Sequence, residues 1–483
     1  MTILPIHPAQ NASPGALRAF LAQCHHAAVQ DGRAKLVSIS LAVDVLDPLA
    51  VLESIFEPGE PHFYTERPGI ETAIAGAEVA VEFEAKGPDR FAAVQRFIDE
   101  TLAQTIAVGD VNAPFGGPHF FAGFAFRDEV EAGERFPAAR VFVPRWQVAK
   151  AGTTTTAVAN FLVAPEVDLT ALAERVWRAH AKFKGFEYGE RRGMGIPPVG
   201  LNEENHARDA RATVITEEGD YRAVVARALE CIETGEFKKI VLARAQVLQA
   251  NQPLHPLQVL NGLRQRFPDC YSFSFANGGG QSFIGASPER LVRVSKGVLE
   301  TEALAGSIRR GAGASEDAAL AAVLLGSEKD LREQRDVLDD IVMRLTPLGL
   351  TLDFPPRPHL RRLANVQHLN TSVRAALPEA VRLLAVLAAL HPTPAVGGSP
   401  REAALGKMRE LEGFPRGLYA GALGWLNARG GGEFFVGIRS ALVDGSTARV
   451  YAGAGIVAGS TPEKEFAETE LKFKAMRDAL LTP

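Results

Sequence analysis

The chain has 483 residues, 46% hydrophobic and 23% charged, with a formal net charge of −5. That is an ordinary globular composition, long enough for one large domain or two to three smaller ones. Acidic and basic residues are interspersed, which excludes the basic stripe of a nucleic-acid binder. Cys24, Cys231 and Cys270 are the only cysteines; they lack metal-ligand spacing and predict a reducing compartment without structural disulfides. The opening MTILPIHPAQ lacks the basic-then-apolar form of a signal peptide. The longest apolar run, around Leu383 to Leu390, is too short to span a bilayer. A cytoplasmic protein without membrane or nucleic-acid partners is expected.

In chain order, Ser13-Pro14 starts a helix to residue 29 with Leu17, Phe20, Leu21 and Cys24 on one face. Strand-like runs follow at Leu36 to Val43, His62 to Tyr64, Val79 to Phe83, Phe120 to Phe126 and Arg140 to Val143, with a helix from Arg90 to Ala103. No Rossmann or P-loop signature and no internal repeat occurs. Tyr188 to Arg211 combines Gly, Pro and charge without apolar periodicity, which marks a boundary near residue 205. It divides an N-terminal α+β part, 1–205, expected to be continuous with the same globule, from a catalytic region, 206–483.

The second part opens with a helix from Asp220 to Thr234, ended by Gly235. Phe237 to Gln249, Tyr271 to Phe275, Phe283 to Ala286, Leu291 to Val294 and Val298 to Glu302 read as strands. Ser327 caps a helix to Leu345 whose buried stripe is Leu331, Leu338, Ile341, Val342 and Leu345. Phe434 to Ile438 and Ala448 to Tyr451 are strands again. Successive strands on short loops predict antiparallel sheets with helices outside, an α+β fold.

Several residues have types and positions suited to chemistry. Lys239 shares a strand face with Phe237, Val241 and Ala243, so it is either a desolvated general base or a strand-end lysine snorkelling to water. Glu289, in a turn after a strand, is either a general acid with a raised pKa or a turn acid paired to Arg290. Glu333 lies off the apolar stripe of its helix and reads as solvent-facing or as a ligand for a hard cation. Arg439 ends a strand and suits a carboxylate clamp. The turn His391-Pro392-Thr393-Pro394 resembles a site wall. Near the end, Gly453 and Gly455 lead to Thr461-Pro462, a helix start. Glu465 and Glu468 then fall three apart, with Lys472 four further on. They form either a cation-binding face or an ordinary solvated Glu–Lys pair.

Taken together, KIVLAR at Lys239, ASPERLV at Ala286, TEALAGS at Thr301, SEKDLRE at Ser327, HPTPAVGG at His391, GLYAGALGW at Gly417 and GAGIVAGS with EFAETELK resemble the chorismate-binding enzymes. Within them the resemblance is to the isochorismate synthases of menaquinone and siderophore pathways. It covers roughly residues 210 to 480, with looser matches at FYTERPG and FAGFAF. It implies two large antiparallel β-sheets packed in layers, helices outside, and a cleft binding chorismate with Mg²⁺.

Residue by residue, the resemblance implies Lys239 as the base that activates water for attack at C2. It implies Glu289 as the acid for the departing C4 hydroxyl. Glu333 and Glu468 match Mg²⁺ ligands, with Glu465 beside them. Ser307, His368, Ala395, Tyr419, Arg439, Gly453, Gly455 and Lys472 match substrate-binding positions, with Arg439 and Tyr419 on the pyruvyl carboxylate. Lys239 favours water as the nucleophile over the amine used by relatives with a glutaminase partner, so no such subunit is expected, and a monomer suffices. Ala395, where salicylate synthases tend to carry Thr, favours isochorismate release. A salicylate synthase that expels pyruvate and a chorismate-binding subunit without turnover are the alternatives. Gln334 and Ser307 depart from a common His and Thr.

Overall fold

The computed structural model describes residues 1–8, 13–177, 212–363 and 366–481. Its organising strand is Ala139–Ala151. One edge pairs with Thr72–Ala85; the other pairs first with His119–Phe124 and then with Thr154–Val163. Pro144, which has no amide hydrogen to donate, lies at the handover, opposite an irregularity between Val79 and Val81.

Two antiparallel limbs grow from this strand. One runs from Thr72–Ala85 through Pro61–Arg67, Tyr271–Asn277, Gln281–Ser287, Ser440–Asp444 and Thr447–Val457 to Lys239–Ala250. The other runs from His119–Phe124 through Ala422–Asn427, Gly432–Val436, Arg290–Ser295 and Val298–Arg309 to Val366–Ala376. The two layers face each other through aromatic pairs. Phe63 stacks on Phe121 at 4.7 Å and Tyr271 on Phe435 at 4.9 Å, while Phe142 meets Phe275 at 6.1 Å. The fold is α+β and antiparallel apart from Thr105–Gly109, which runs parallel to Lys35–Val43 and Thr2–Ile3.

The expected helices are present: Pro14–Asp31, Arg90–Ala103, Tyr221–Glu233 and Glu328–Leu345. Ser13, Asp220 and Ser327 cap three of them by accepting backbone N–H bonds. Leu383–Leu390 is a short buried helix, and among the described residues no helix is long and apolar enough to cross a membrane. The three cysteines are free and buried. In Glu328–Leu345, Val337 is buried and Leu331 is only half-buried, a small rotation from the expected stripe.

Strand lengths depart further from expectation. The run at Val79 begins at Thr72, and the run at Arg140 continues to Ala151. Thr105–Gly109 and Thr154–Val163 were not expected. The added residues at Thr72 are small because aromatic rings press on them. A Cβ on Gly76 would stand 2.5 Å from the Phe121 ring, so packing, not β-propensity, dictates this stretch. The boundary expected at Tyr188 to Arg211 lies outside the described residues. Ladders join the chain on either side of it: Pro61–Arg67 with Tyr271–Asn277, and His119–Phe124 with Ala422–Asn427.

Phe275 touches rings from three other strands or loops, Phe63, Phe136 and Phe142. Phe275→Ala should therefore lower unfolding free energy by about 3–5 kcal/mol, read as a drop in the urea midpoint. An unchanged midpoint would mean that the interlayer ring cluster is not what holds the limbs together.

Candidate active site

Lys239–Ala250 and Thr447–Val457 pair along their whole length, placing Gly455 opposite Val241 and Gly453 opposite Ala243. Lys239 is 7% exposed. Its Nζ does not snorkel to water but donates to Glu333 Oε1 at 2.7 Å, crossing to the helix Glu328–Leu345. The next residue on that helix, Gln334, is buried and donates to Thr371 Oγ1 at 2.7 Å. The two glycines make room for this arrangement. A Cβ on Gly455 would lie 3.1 Å from Lys239 Cε and 3.8 Å from Glu333 Oε1; one on Gly453 would lie 2.8 Å from the Tyr419 hydroxyl.

The helix Pro462–Leu481 starts as expected, with Thr461 Oγ1 accepting from Lys464 N at 3.4 Å. Lys472 Nζ donates to Gly453 O at 2.8 Å and to Glu468 Oε1 at 2.6 Å. Lys472 holds the Glu468 carboxyl below the usual range. Glu465 is buried, and burial, with the Glu468 charge added, pushes its carboxyl up although Ser460 donates to it. Arg244 locks this helix to the Lys239 strand. It donates to Thr469 Oγ1 at 2.9 Å, pairs with Glu470 at 2.7 Å and with Glu217, and lies 3.7 Å from the Phe466 ring centre.

Glu289 follows the strand Gln281–Ser287 and is buried. Arg290 does not neutralise it; that side chain reaches Glu300 at 3.4 Å and Glu302 at 3.9 Å. Burial, then the charge of Glu302, push the Glu289 carboxyl up to about 7, against the pull of Lys239, Arg361 and Lys472. Glu302 itself goes the other way. Burial alone would raise it, but Arg361 and Arg290, with bonds from Asn370 Nδ2 and Arg290 N, hold it below the usual range. Arg361 donates to it at 2.5 Å and Asn370 at 3.1 Å. Two buried carboxyls thus have opposite perturbations, the arrangement that makes one an acid and the other a fixed charge.

Ser307 Oγ and His368 Nδ1 share a hydrogen bond at 2.7 Å. Burial, then the charges of Arg439, Lys472 and Arg361, push His368 down to about 3, so its ring is neutral. Tyr419 is buried, which raises its hydroxyl to about 12, and it stacks on Tyr451 at 5.0 Å. Arg439 has φ of 52°, a left-handed conformation that turns the chain sharply out of the preceding strand. Burial lowers its pKa, while Cys270, Tyr419 and Glu468 favour its charge. A cavity beside Arg439 is lined also by Cys270, Ala286, Pro288 and Met476.

The sequence-derived residues therefore converge, with one standing apart. Ala395 is half-buried on a turn joined to the Lys239 strand through the backbone, where Gly397 O accepts from Val241 N at 2.7 Å. Among the described residues no three His, Cys, Asp or Glu side chains are grouped to hold a metal ion by themselves. Glu302, Arg361 and Arg244 were not singled out from the sequence. A signal existed for two of them: Glu302 is the one charge in TEALAG, and Arg244 is the one charge between Ile240 and Leu248.

Residues 19–481 match the family model described as chorismate binding enzyme. The chain is 38% identical over 451 residues to the salicylate biosynthesis isochorismate synthase of Pseudomonas aeruginosa, covering 93% of this chain and 90% of the relative. It is 32% identical over 469 residues to isochorismate synthase MenF of Bacillus subtilis, covering 94% and 95%. Among solved structures it is similar to MenF, the menaquinone-specific isochorismate synthase from Escherichia coli, with a TM-score of 0.75 and 27% identity, covering 95% of this chain and 100% of that one.

Glu289 ionises near 4.5 when unfolded and near 7 when folded. Between those values the unfolded chain loses a proton that the folded protein keeps, so stability falls as pH rises and levels off above about 7. Glu289→Gln removes that penalty, on the order of 3 kcal/mol. Its melting temperature relative to the parent, in EDTA, should climb from pH 4.5 to 7 and then flatten. A difference independent of pH would show that Glu289 is not the titrating group.

Proposed function

This chain belongs to the chorismate-binding enzyme family, and from that premise we propose that it is an isochorismate synthase, an isomerase that adds water at C2 of chorismate and expels the C4 hydroxyl. The observation that carries the reading is Glu289, a buried carboxyl still protonated near neutrality, facing the charge of a buried lysine. An allylic displacement of hydroxyl by water needs one group to take a proton and another to give one. Lys239 Nζ takes the proton of the attacking water, and Glu289 gives its proton to the leaving C4 oxygen. A base must offer a lone pair, so Lys239 acts as a neutral amine, which can still donate one N–H to Glu333 Oε1.

Arg439 and the Tyr419 hydroxyl hold the pyruvyl carboxylate, Arg439 as a two-pronged donor. Ser307 and neutral His368 line the pocket, and Gly453, Gly455 and Lys472 shape its floor. Ala395 offers no polar group to assist pyruvate loss. Glu333 and Glu468, with Glu465 beside them, would hold Mg²⁺. The donor set fits: all are carboxylates, and Glu333 and Glu468 each give only Oε1 to a lysine, which leaves the other oxygen for a hard cation that completes its shell with substrate and water. When bound, the ion supplies positive charge against the ring carboxylate. The enzyme acts alone in the cytoplasm, as a monomer without a glutaminase subunit, and its product serves menaquinone or siderophore formation.

The deciding experiment incubates the protein with chorismate and Mg²⁺, with and without EDTA, and resolves the products by chromatography. Isochorismate without pyruvate, lost in EDTA, is the expected outcome. Salicylate with pyruvate would replace this reading with the lyase, and no product would leave a binding protein. Lys239→Ala should lower kcat by about 10²–10⁴-fold with folding intact; parent-level turnover would remove the base. Glu468→Ala should shift the Mg²⁺ midpoint by more than the roughly 10–100-fold that loss of an outer partner costs. An unmoved titration would sink the ligand assignment.

A further inference from the structure

The strand Lys239–Ala250 is covered unevenly. One edge is bonded throughout to Thr447–Val457. The other is covered by strands only at its ends: Gly398–Ser399 opposite Lys239 and Ile240, and Ala212–Glu218 opposite Ala245 to Ala250. From Val241 to Arg244 no described strand pairs there. Unmet backbone groups in such a buried gap are costly.

Two side chains fill the gap. Glu412 Oε1 accepts from Ala243 N at 2.6 Å, and Arg416 Nη2 donates to Val241 O at 2.7 Å. They supply an acceptor and a donor where a neighbouring strand would present a carbonyl and an amide. Arg416 Nη1 also donates to Val396 O at 3.0 Å, in the turn that bears Ala395. The two bind each other through Arg416 Nε and Glu412 Oε2 at 2.9 Å and through Nη2 and Oε1. Each side chain is 2% exposed. The guanidinium lies 4.2 Å from the Phe126 ring centre and 5.7 Å from that of Tyr419.

The attraction between the two charges does not account for the pair. Breaking a buried ion pair is expensive, but replacing both partners by apolar residues of similar volume is often neutral or stabilising. What an apolar pair cannot do is bond Val241, Ala243 and Val396 at once. We propose that Glu412 and Arg416 are positioning residues that act as substitute strand rungs, fixing the Lys239 end of its strand against the 391–398 turn and Tyr419. They act through the backbone and touch no reacting atom. The inference deepens the isochorismate synthase reading and rests on it for its kinetic consequence.

The test compares E412L/R416M, E412Q and R416K with the parent by melting temperature, amide hydrogen exchange and steady-state kinetics on chorismate. The double variant should stay folded but melt lower, because Val241 O, Ala243 N and Val396 O lose their partners. It should exchange the Ala243 amide at least about tenfold faster and lose about 10–100-fold in kcat, with KM within about twofold. E412Q keeps an oxygen for Ala243 N and should recover most of the lost kcat. Parent-level exchange or kcat in the folded double variant would overturn the proposal, as would E412Q no better than the double. Should the double variant not fold, R416K decides on the same two readouts, since it keeps the charge and loses the fork. A parent protein that makes no isochorismate rejects the function, while the exchange comparison still decides whether the pair holds the strand.

Discussion

A buried charge must find partners or neutralise, and the strand that bears the candidate base meets that constraint repeatedly. Lys239–Ala250 carries Lys239 and Arg244 into the interior and meets Arg416 along its open edge. Each cation is answered from a different element: Lys239 by Glu333 on a helix, Arg244 by Glu217, Glu470 and Thr469, and Arg416 by Glu412. None of these partners is near the strand in sequence, apart from Glu217. The strand is therefore where distant segments are brought to a common register by charged side chains that need one another.

The second limb supplies the opposite electrostatic logic. Glu302 is surrounded by Arg290, Arg361 and Asn370, so it stays ionised, and its fixed negative charge helps keep Glu289 neutral. One layer thus presents a cation and the other a protonated acid. Both carboxyls are buried, and desolvation is the largest cause of the Glu289 perturbation. Packing and chemistry are here the same fact, since looser packing around Glu289 would wet it and return it towards an ordinary carboxylate.

Much of this was legible in the sequence, and for identifiable reasons. Helix starts at Ser13, Asp220, Ser327 and Thr461 were visible because capping is local. The family motifs brought Lys239, Glu289, Glu333 and Glu468 forward together. What stayed hidden depended on contacts between distant residues. The Ala- and Gly-rich stretch from Thr72 has weak β-propensity and is a strand because Phe121 and Pro144 stand over it. Glu333 looked solvent-facing because its partner, Lys239, is 94 residues away. Glu412 and Arg416 look like an ordinary i, i+4 helix pair, and only the gap in the strand edge shows otherwise.

An isomerisation that exchanges one hydroxyl for another leaves the site in a telling condition. In the proposed mechanism the forward reaction leaves a protonated lysine and an ionised glutamate, which is the starting condition for the reverse reaction. An acid perturbed too far in either direction would leave such a site trapped after a single turnover. A Glu289 carboxyl near 7, balanced between the push of burial and Glu302 and the pull of Lys239, Arg361 and Lys472, meets that requirement. An acid buried without those three cations would hold its proton too firmly to give it up. On the proposed mechanism, the crowd of cations around Glu289, which looks wasteful as stabilisation, is what would let one site run the exchange in both directions.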